Sequence, residues 1–224
     1  TFTINFVKEI IIGCEGLGGF QSDVLTNFLV MPLQNELSYI PRCKLFFGVA
    51  MRSPNDENLS KLFEAHYIQN PIPEKFMHDF LNIVIAFSEK RADFFHSHLS
   101  TFIPMLCEIA MNPENGNRNM ALFVFSAMGQ GSPKMCQSVP EFFITVTQCL
   151  IRVMSETNES TQIEYDPNSS ESCLIAGEVF KTIVENCESG NYMRCVISIF
   201  NQVLKQVAES NNLTEGPKQA IFHL

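Results

Sequence analysis

The sequence predicts an all-α protein, built as a right-handed α-solenoid in which helical repeats stack into a superhelix. First, residues 81–109 recur at 122–150 with a constant offset of 41 residues, as in Leu81 with Leu122 and Phe102 with Phe143. Second, apolar residues in this stretch follow helical spacing, and no run alternates in the way that a β-strand does. Third, 46% of the residues are hydrophobic and only 17% are charged, which provides enough apolar surface for a continuous core.

The length of the period indicates the class of repeat. Each period holds two helical patterns, and a spacing of roughly 40–47 residues is typical of HEAT and armadillo arrays. A unit of this kind buries its apolar face only by stacking on its neighbours. Other pairs in the same register are Ala86 with Ala127, Phe94 with Met135, Ser97 with Ser138, Ile103 with Ile144, and Ile109 with Leu150.

Residues 1–72 are interpreted as irregular HEAT-like repeats, because their helical pattern is weaker than the pattern that follows. The glycine cluster at 16–19 superficially resembles a phosphate-binding loop, but the G-x-G-x-x-G spacing is broken and no Lys-Ser or Lys-Thr follows. A helix end with a turn explains the cluster better. Helices are expected at residues 2–14, 20–37, 43–51 and 57–67, with a turn at 53–56.

Three clearer HEAT repeats are predicted at 73–114, 115–155 and 172–210, and the start of another at 211–224. Each repeat pairs an A helix with a B helix. Ser132 is expected to cap the second B helix, with Pro133 at its first helical position. The expected A helices span residues 73–89, 117–130 and 169–186, and the expected B helices span 92–111, 133–155 and 191–208.

An insertion at 156–171 separates the second and third repeats, so that their register is expected at 57 residues, as from Ala127 to Val184. The insertion has no helical period and contains no lysine or arginine. Two interpretations remain open: a solvent-exposed surface loop, or a flexible acidic arm that engages a basic partner. Its carboxylates are Glu156, Glu159, Glu164, Asp166 and Glu171.

Composition and charge exclude several classes of function. The net charge of −9 argues against nucleic acid as a partner, because nucleic-acid-binding proteins normally carry a basic stripe. No stretch approaches the ~18 apolar residues of a membrane span, and no signal peptide opens the chain. The eight cysteines include no C-x-x-C pair, which indicates free thiols and a reducing compartment. Because the chain opens at Thr1 without an initiator methionine, we expect a fragment of a longer solenoid.

No catalytic, cofactor or metal site is expected. His78, His96 and His98 lie near one another in sequence, but His96 and His98 do not share a helix face. Asp93 does share a face with His96, yet two ligands do not make a metal site. No nucleophile elbow, H-E-x-x-H or paired-carboxylate pattern occurs, so the sequence does not predict an enzyme.

The B helices carry the candidate binding surface. Their apolar stripe on the second repeat comprises Val139, Phe142, Phe143, Val146, Leu150 and Ile151. The opposite, polar stripe is expected to line one groove of the solenoid, although most of its members taken singly are equally compatible with ordinary solvent-facing positions. These candidate partner-binding residues are His96, Ser100, Gln137, Glu141, Gln148, Arg194, Ser198 and Lys205, together with Glu156, Glu159, Glu164 and Asp166 of the insertion.

Several motifs occur in an order that indicates a family. They are Ser88-Glu89 with Ala92, Phe94-Phe95 and His98-Leu99, then the runs 117–122, 132–135 and 150–154. In this order, and with the insertion placed between a B and an A helix, the run from Leu81 to Val184 resembles the importin-β (karyopherin-β) nuclear transport receptors of the importin-five type. The resemblance covers about half of the chain well.

This resemblance implies a function in nucleocytoplasmic transport. The concave face would bind protein cargo with basic segments and the GTPase Ran, and the convex face would bind phenylalanine-glycine nucleoporins between A helices. The protein would then move between cytoplasm and nucleus through the nuclear pore. Two alternatives remain: a HEAT scaffold such as a phosphatase regulatory subunit, and a helical domain attached to a large enzyme.

Overall fold

A computed structural model describes residues 39–51, 57–132, 140–155 and 167–186, and the isolated positions 197, 198 and 201. The side chains at 140, 141 and 167–170 are outside this description. The helices expected at 2–14 and 20–37, the glycine cluster, the turn at 53–56 and residues 156–166 of the insertion also lie outside the described residues. So does nearly all of the third B helix.

The described part of the chain is helical and contains no β-strand, which confirms the all-α prediction. A π-helical segment, Glu64–Ile68, extends the second helix, and a 3-10 helix, Ala92–His98, joins the third to the fourth. We number the α-helices in chain order: α1 Tyr39–Ala50, α2 Glu57–Phe63, α3 Glu74–Arg91, α4 Leu99–Met111, α5 Arg118–Gly131, α6 Pro140–Ser155 and α7 Pro167–Glu185.

Short polar and proline-containing segments set the helix ends. Pro73 precedes α3 with extended backbone angles (φ −58°, ψ 133°), and its carbonyl accepts a hydrogen bond from the Phe76 amide at 2.8 Å. Between α4 and α5, the side-chain oxygens of Asn112 and Asn115 accept hydrogen bonds from backbone amides two residues further on, at 3.1 and 2.9 Å. Such local bonds favour a turn over continued helix, as the sequence predicts for 112–116.

The first B helix differs from its expected form. The sequence predicts one α-helix over 92–111, but residues 92–98 form a 3-10 helix. Ala92, Phe95 and His98 are all buried. Because a 3-10 helix has three residues per turn, it aligns these three side chains along one edge. An α-helix would turn His98 away from Phe95, so the tighter winding follows from burying all three.

Alternate helices along the chain are neighbours in space. Helix α1 packs on α3, α3 on α5, and α5 on α7, while α4 packs on α6 in a second layer. Contacts of α4 with α5 and of α6 with α7 join the two layers. The described helices are therefore arranged as successive A helices with the B helices behind them.

Contacts at both ends of α1 show that it runs parallel to α3. The Tyr39 ring stacks on the Phe76 ring near the start of both helices, with centroids 4.9 Å apart. At the other end, the Arg91 guanidinium donates a hydrogen bond to the Ala50 carbonyl at 3.1 Å. That bond satisfies a terminal carbonyl of α1, which has no partner within its own helix.

Helix α5 runs parallel to α7 in the same way. The Ser172 hydroxyl donates a hydrogen bond of 2.6 Å to the Asn119 side-chain oxygen near the start of both helices. Towards their ends, Gly129 faces Ile183. Consecutive A helices that run in the same direction require a B helix to return the chain between them, which is the connection that a helical repeat provides.

The 41-residue register recurs in burial as well as in sequence. Helix α4 begins at Leu99 and α6 at Pro140, which are 41 residues apart. Leu150 and Ile151 on α6 are buried with Phe142, Phe143 and Val146, so the predicted apolar stripe is confirmed except at Val139, which lies outside the described residues. Pairs in which both members are buried are Phe80 with Ala121, Leu81 with Leu122, Val84 with Phe125, Phe87 with Met128, Phe102 with Phe143, and Ile109 with Leu150.

The predicted register of the third A helix is wrong by two residues. An offset of 57 residues pairs the buried Ala121 and Val124 with Glu178 and Lys181, which are exposed. An offset of 55, as from Ala121 to Ala176, pairs buried residues with one another throughout α7. Helix α7 also begins at Pro167, inside the predicted insertion, because proline at the first helical position fixes a helical φ and needs no amide partner. The additional segment is therefore shorter than expected.

A cluster of aromatic rings fills the core between α1, α2 and α3. Phe63 lies at its centre, with its ring centroid 5.4 Å from that of Phe95 and 5.7 Å from that of Phe102. Most of these pairs are edge-to-face or tilted, which is the favoured geometry for aromatic rings. Other members in contact are Phe46, Phe47, Tyr67, Phe80, Phe87 and Phe94.

Two glycines bring α5 close to both of its A-helix neighbours. A Cβ atom at Gly131 would overlap the backbone carbonyl oxygen of Ser88 on α3. At Gly129 a Cβ would lie 3.3 Å from Cγ1 of Ile183 on α7. Residues two apart on a helix point in nearly opposite directions, so this pair of glycines serves two interfaces at once.

We expect Phe143→Ala to lower the free energy of unfolding by roughly 3–5 kcal/mol, the usual cost of emptying a buried aromatic site. Phe143 is fully buried, and its repeat partner Phe102 is buried too. Phe123→Ala is the matched control, since 42% of Phe123 is exposed and a loss under about 1 kcal/mol is expected. Chemical denaturation measures both variants. A similar small loss for the two would show that the buried stripe is wrongly placed.

We expect Gly131→Ala to destabilise the protein by roughly 1–3 kcal/mol, because the new methyl group forces α5 away from the Ser88 carbonyl. Gly48→Ala on α1 is the control, because a Cβ there meets no atom within 4 Å. That change should stabilise helix α1 by about 0.5–1 kcal/mol. Thermal unfolding of both variants tests the opposite signs. Equal shifts would show that the close approach of α3 and α5 contributes nothing to stability.

Candidate functional site

The π-helical segment after α2 holds one side of a polar site. Ser60 lies on α2, and Glu64 begins the π-helical segment four residues later. Residues four apart lie on the same face of a helix, so the hydroxyl and the carboxylate are neighbours. Short π-helical turns occur frequently at functional sites.

The 3-10 helix brings His98 to this face. The His98 side chain is only 6% exposed, whereas that of Glu64 is 34% exposed. His98 Nδ1 lies 3.0 Å from Glu64 Oε2, and His98 Nε2 lies 2.8 Å from Ser60 Oγ. On its ring face His98 contacts Phe63, with centroids 5.0 Å apart. A serine, a histidine and a glutamate are thus joined by two hydrogen bonds.

The bonding partners determine where the imidazole carries its proton. An ionised Glu64 carboxylate can only accept a hydrogen bond, so Nδ1 must carry the hydrogen. In the neutral ring Nε2 is then an acceptor, and the Ser60 hydroxyl donates to it. The Ser97 hydroxyl lies 3.3 Å from Ser60 Oγ, and Thr101 donates to the His98 carbonyl at 3.1 Å.

The site opens into a shallow groove of about 570 Å³ between α2 with its π-helical extension and the start of α4. Its lining is polar, with four hydroxyl groups and one ammonium group. The lining residues are Ser60, Lys61, Glu64, Gln69, Ser97, His98, Ser100 and Thr101. The groove therefore offers hydrogen-bonding groups around a buried imidazole.

The candidate partner-binding residues divide into two groups. His96, Ser100, Gln148 and Ser198 are exposed, and of these Ser100 lines the groove. Glu141 lies on α6, but its side chain is outside the described residues. So are Gln137, Arg194 and Lys205, together with Glu156, Glu159, Glu164 and Asp166 of the insertion. That these residues share one groove stays a prediction.

Sequence reasoning missed the central pair of this site. Ser60 and Glu64 are 38 and 34 residues from His98 in the chain, and no local motif connects them. Asp93, expected to share a face with His96, instead pairs with Arg91 at 3.1 Å. The one available signal was the spacing of a serine and a glutamate by four residues, which is common on helices.

The described cysteines behave as buried thiols. Cys43, Cys107, Cys149 and Cys173 are free and buried, in agreement with the sequence expectation for these four. Burial raises the pKa of the Cys43 thiol to about 12. A hydrogen bond from the Cys149 side chain instead lowers the pKa of Cys107. Within the described ranges, three or more His, Cys, Asp or Glu side chains do not gather as a metal site, and none of the helices is apolar enough over a sufficient length to cross a membrane.

Comparisons with known proteins do not identify this chain. Neither a scan against protein-family models nor searches of curated proteins and of solved structures found a match. The function is therefore argued from the residues and contacts described above.

Proposed function

We propose that this chain is part of a nuclear transport receptor of the importin-β class, which binds cargo, Ran and nucleoporins through an array of HEAT repeats. The observation that carries the proposal is the parallel packing of successive A helices, α1 on α3 and α5 on α7, with α4 and α6 in a second layer. Repeats stacked in this way extend into a right-handed superhelix as units are added.

Exposed apolar side chains on the A helices support nucleoporin binding. Phe123 on α5 is 42% exposed and Leu174 on α7 is 56% exposed. Single exposed apolar residues are common on protein surfaces. These two lie on adjacent A helices, however, which is where the receptor class binds phenylalanine-glycine segments.

Charge supports a basic partner on the other face. The net charge of −9 attracts positively charged segments and steers their approach. The polar stripe of the B helices and the carboxylates of the insertion are the surfaces that we assign to cargo and Ran. A receptor of this kind works in both cytoplasm and nucleus and passes through the nuclear pore.

A HEAT scaffold, such as a phosphatase regulatory subunit, is the alternative. The two-layer packing supports it equally, because all such arrays stack parallel A helices. The segment added before α7 favours the receptor, since a scaffold is expected to have more uniform repeats. A helical domain attached to a large enzyme is a further alternative, which catalytic motifs in flanking sequence would favour.

We expect Phe123→Ser combined with Leu174→Ser to weaken binding of a phenylalanine-glycine repeat peptide by about tenfold or more, because each change removes an apolar anchor. Ile197→Ser is the matched control. Ile197 is 53% exposed but belongs to the predicted third B helix, so binding should not change. Fluorescence anisotropy with a labelled peptide measures all three proteins. Equal weakening by the control would assign the effect to general surface hydrophobicity.

We expect Glu141→Lys combined with Glu164→Lys to weaken binding of a basic cargo peptide and of Ran·GTP to the intact protein by roughly tenfold, through charge repulsion. Glu89→Lys combined with Glu114→Lys makes the same change in net charge at exposed positions outside the B helices. Isothermal titration calorimetry compares the two pairs. Unchanged affinity for both ligands would remove Glu141 and Glu164 from the recognition surface.

A further inference from the structure

The hydrogen-bonded chain at the groove has the connectivity of a nucleophile, a base and an orienting carboxylate. Ser60 Oγ lies 2.8 Å from His98 Nε2, and Glu64 Oε2 lies 3.0 Å from His98 Nδ1. Both distances fall within hydrogen-bonding range for an activated nucleophile. A triad of this kind is recognised by its geometry and roles, and not by the positions of its residues in the sequence.

We propose that Ser60 is the nucleophile of an acyl-transfer site, that His98 is its general base, and that Glu64 is a positioning residue which orients the imidazole. The substrate class is small carboxylic esters. The groove is shallow and lined by hydroxyl, amide and charged groups, so it fits a short acyl group better than a long apolar chain. This proposal is independent of the transport function.

The chemistry proceeds in two balanced steps. Ser60 Oγ bonds to the ester carbonyl carbon while its proton moves to His98 Nε2. The bond from that carbon to the alcohol oxygen then breaks, and Nε2 returns the proton to the departing alcohol. Water attacks the acyl-serine by the same path, with His98 as base, and releases the carboxylic acid with free Ser60.

Burial and charge around the site favour this reaction. His98 is almost completely enclosed, so its ring is held against Phe63 in one orientation and Nε2 faces Ser60. In the transition state, negative charge develops on the carbonyl oxygen and requires donors. The Lys61 ammonium group and the Ser97 hydroxyl line the same groove and are the groups that we assign to that role.

The test is the reaction of the 224-residue chain with p-nitrophenyl acetate and with a fluorophosphonate probe. The expected result is one acetyl group per chain, on Ser60 by peptide mass spectrometry, and none on Ser60→Ala. His98→Gln should slow acylation by roughly 10²–10⁴-fold, the usual contribution of general-base catalysis. Ser155→Ala is the control, because that hydroxyl donates to the Ile151 carbonyl, away from the groove, and its loss should change nothing.

Glu64→Gln separates orientation from folding, because Glu64 is partly exposed and glutamine preserves its shape. We expect at least ~10-fold slower acylation and a measurable change in the imidazole nitrogen spectrum. By ¹⁵N NMR, His98 should carry its hydrogen on Nδ1 in the original chain and lose this preference in the variant. If His98→Gln fails to fold, Glu64→Gln still decides. Acylation of Ser60 no faster than in the urea-unfolded chain, or equal rates in Glu64→Gln and the original, would overturn the proposal.

Discussion

The close approach of α5 to its two neighbours is the constraint on which the layer of A helices depends. Gly131 lets the α3 backbone at Ser88 approach, and Gly129 makes room for Ile183 of α7. Any larger side chain at these positions separates the helices, and the buried stripes of all three helices would then lose contact. The Asn119–Ser172 hydrogen bond at the other end of α5 holds the same alignment with α7. The spacing of the repeats is therefore set by two absent side chains and one polar bond.

Aromatic packing connects this framework to the polar site. Phe63 ends α2 directly before the π-helical segment and contacts both Phe95 and His98. The 3-10 helix places Phe95 and His98 on one edge, so the ring that fills the core and the ring that faces the groove are positioned together. Disturbing the aromatic cluster would consequently move His98 away from Glu64.

Much of the fold follows from sequence periodicity, because repeated burial forces repeated apolar positions. The 41-residue offset correctly pairs the buried Leu81 with Leu122 and the buried Phe102 with Phe143. It fails at α7, where the additional segment leaves the register free and only burial reveals the 55-residue offset. The site was not predictable in the same way. The contact between Ser60 and His98 depends on a π-helical segment and a 3-10 helix, whose winding is set by packing between distant parts of the chain and not by local preference.

Ser100 connects the two functions that the structure supports. It belongs to the predicted polar stripe of the B helices, and it also lines the groove that contains Ser60. A basic segment bound along that stripe would cover the groove and place its charge near Glu64, which competes with His98 for the carboxylate. Occupation of the stripe and reaction at Ser60 therefore oppose each other if both surfaces work as proposed. That opposition follows from their shared position, and it gives the groove a means of sensing whether the array is occupied.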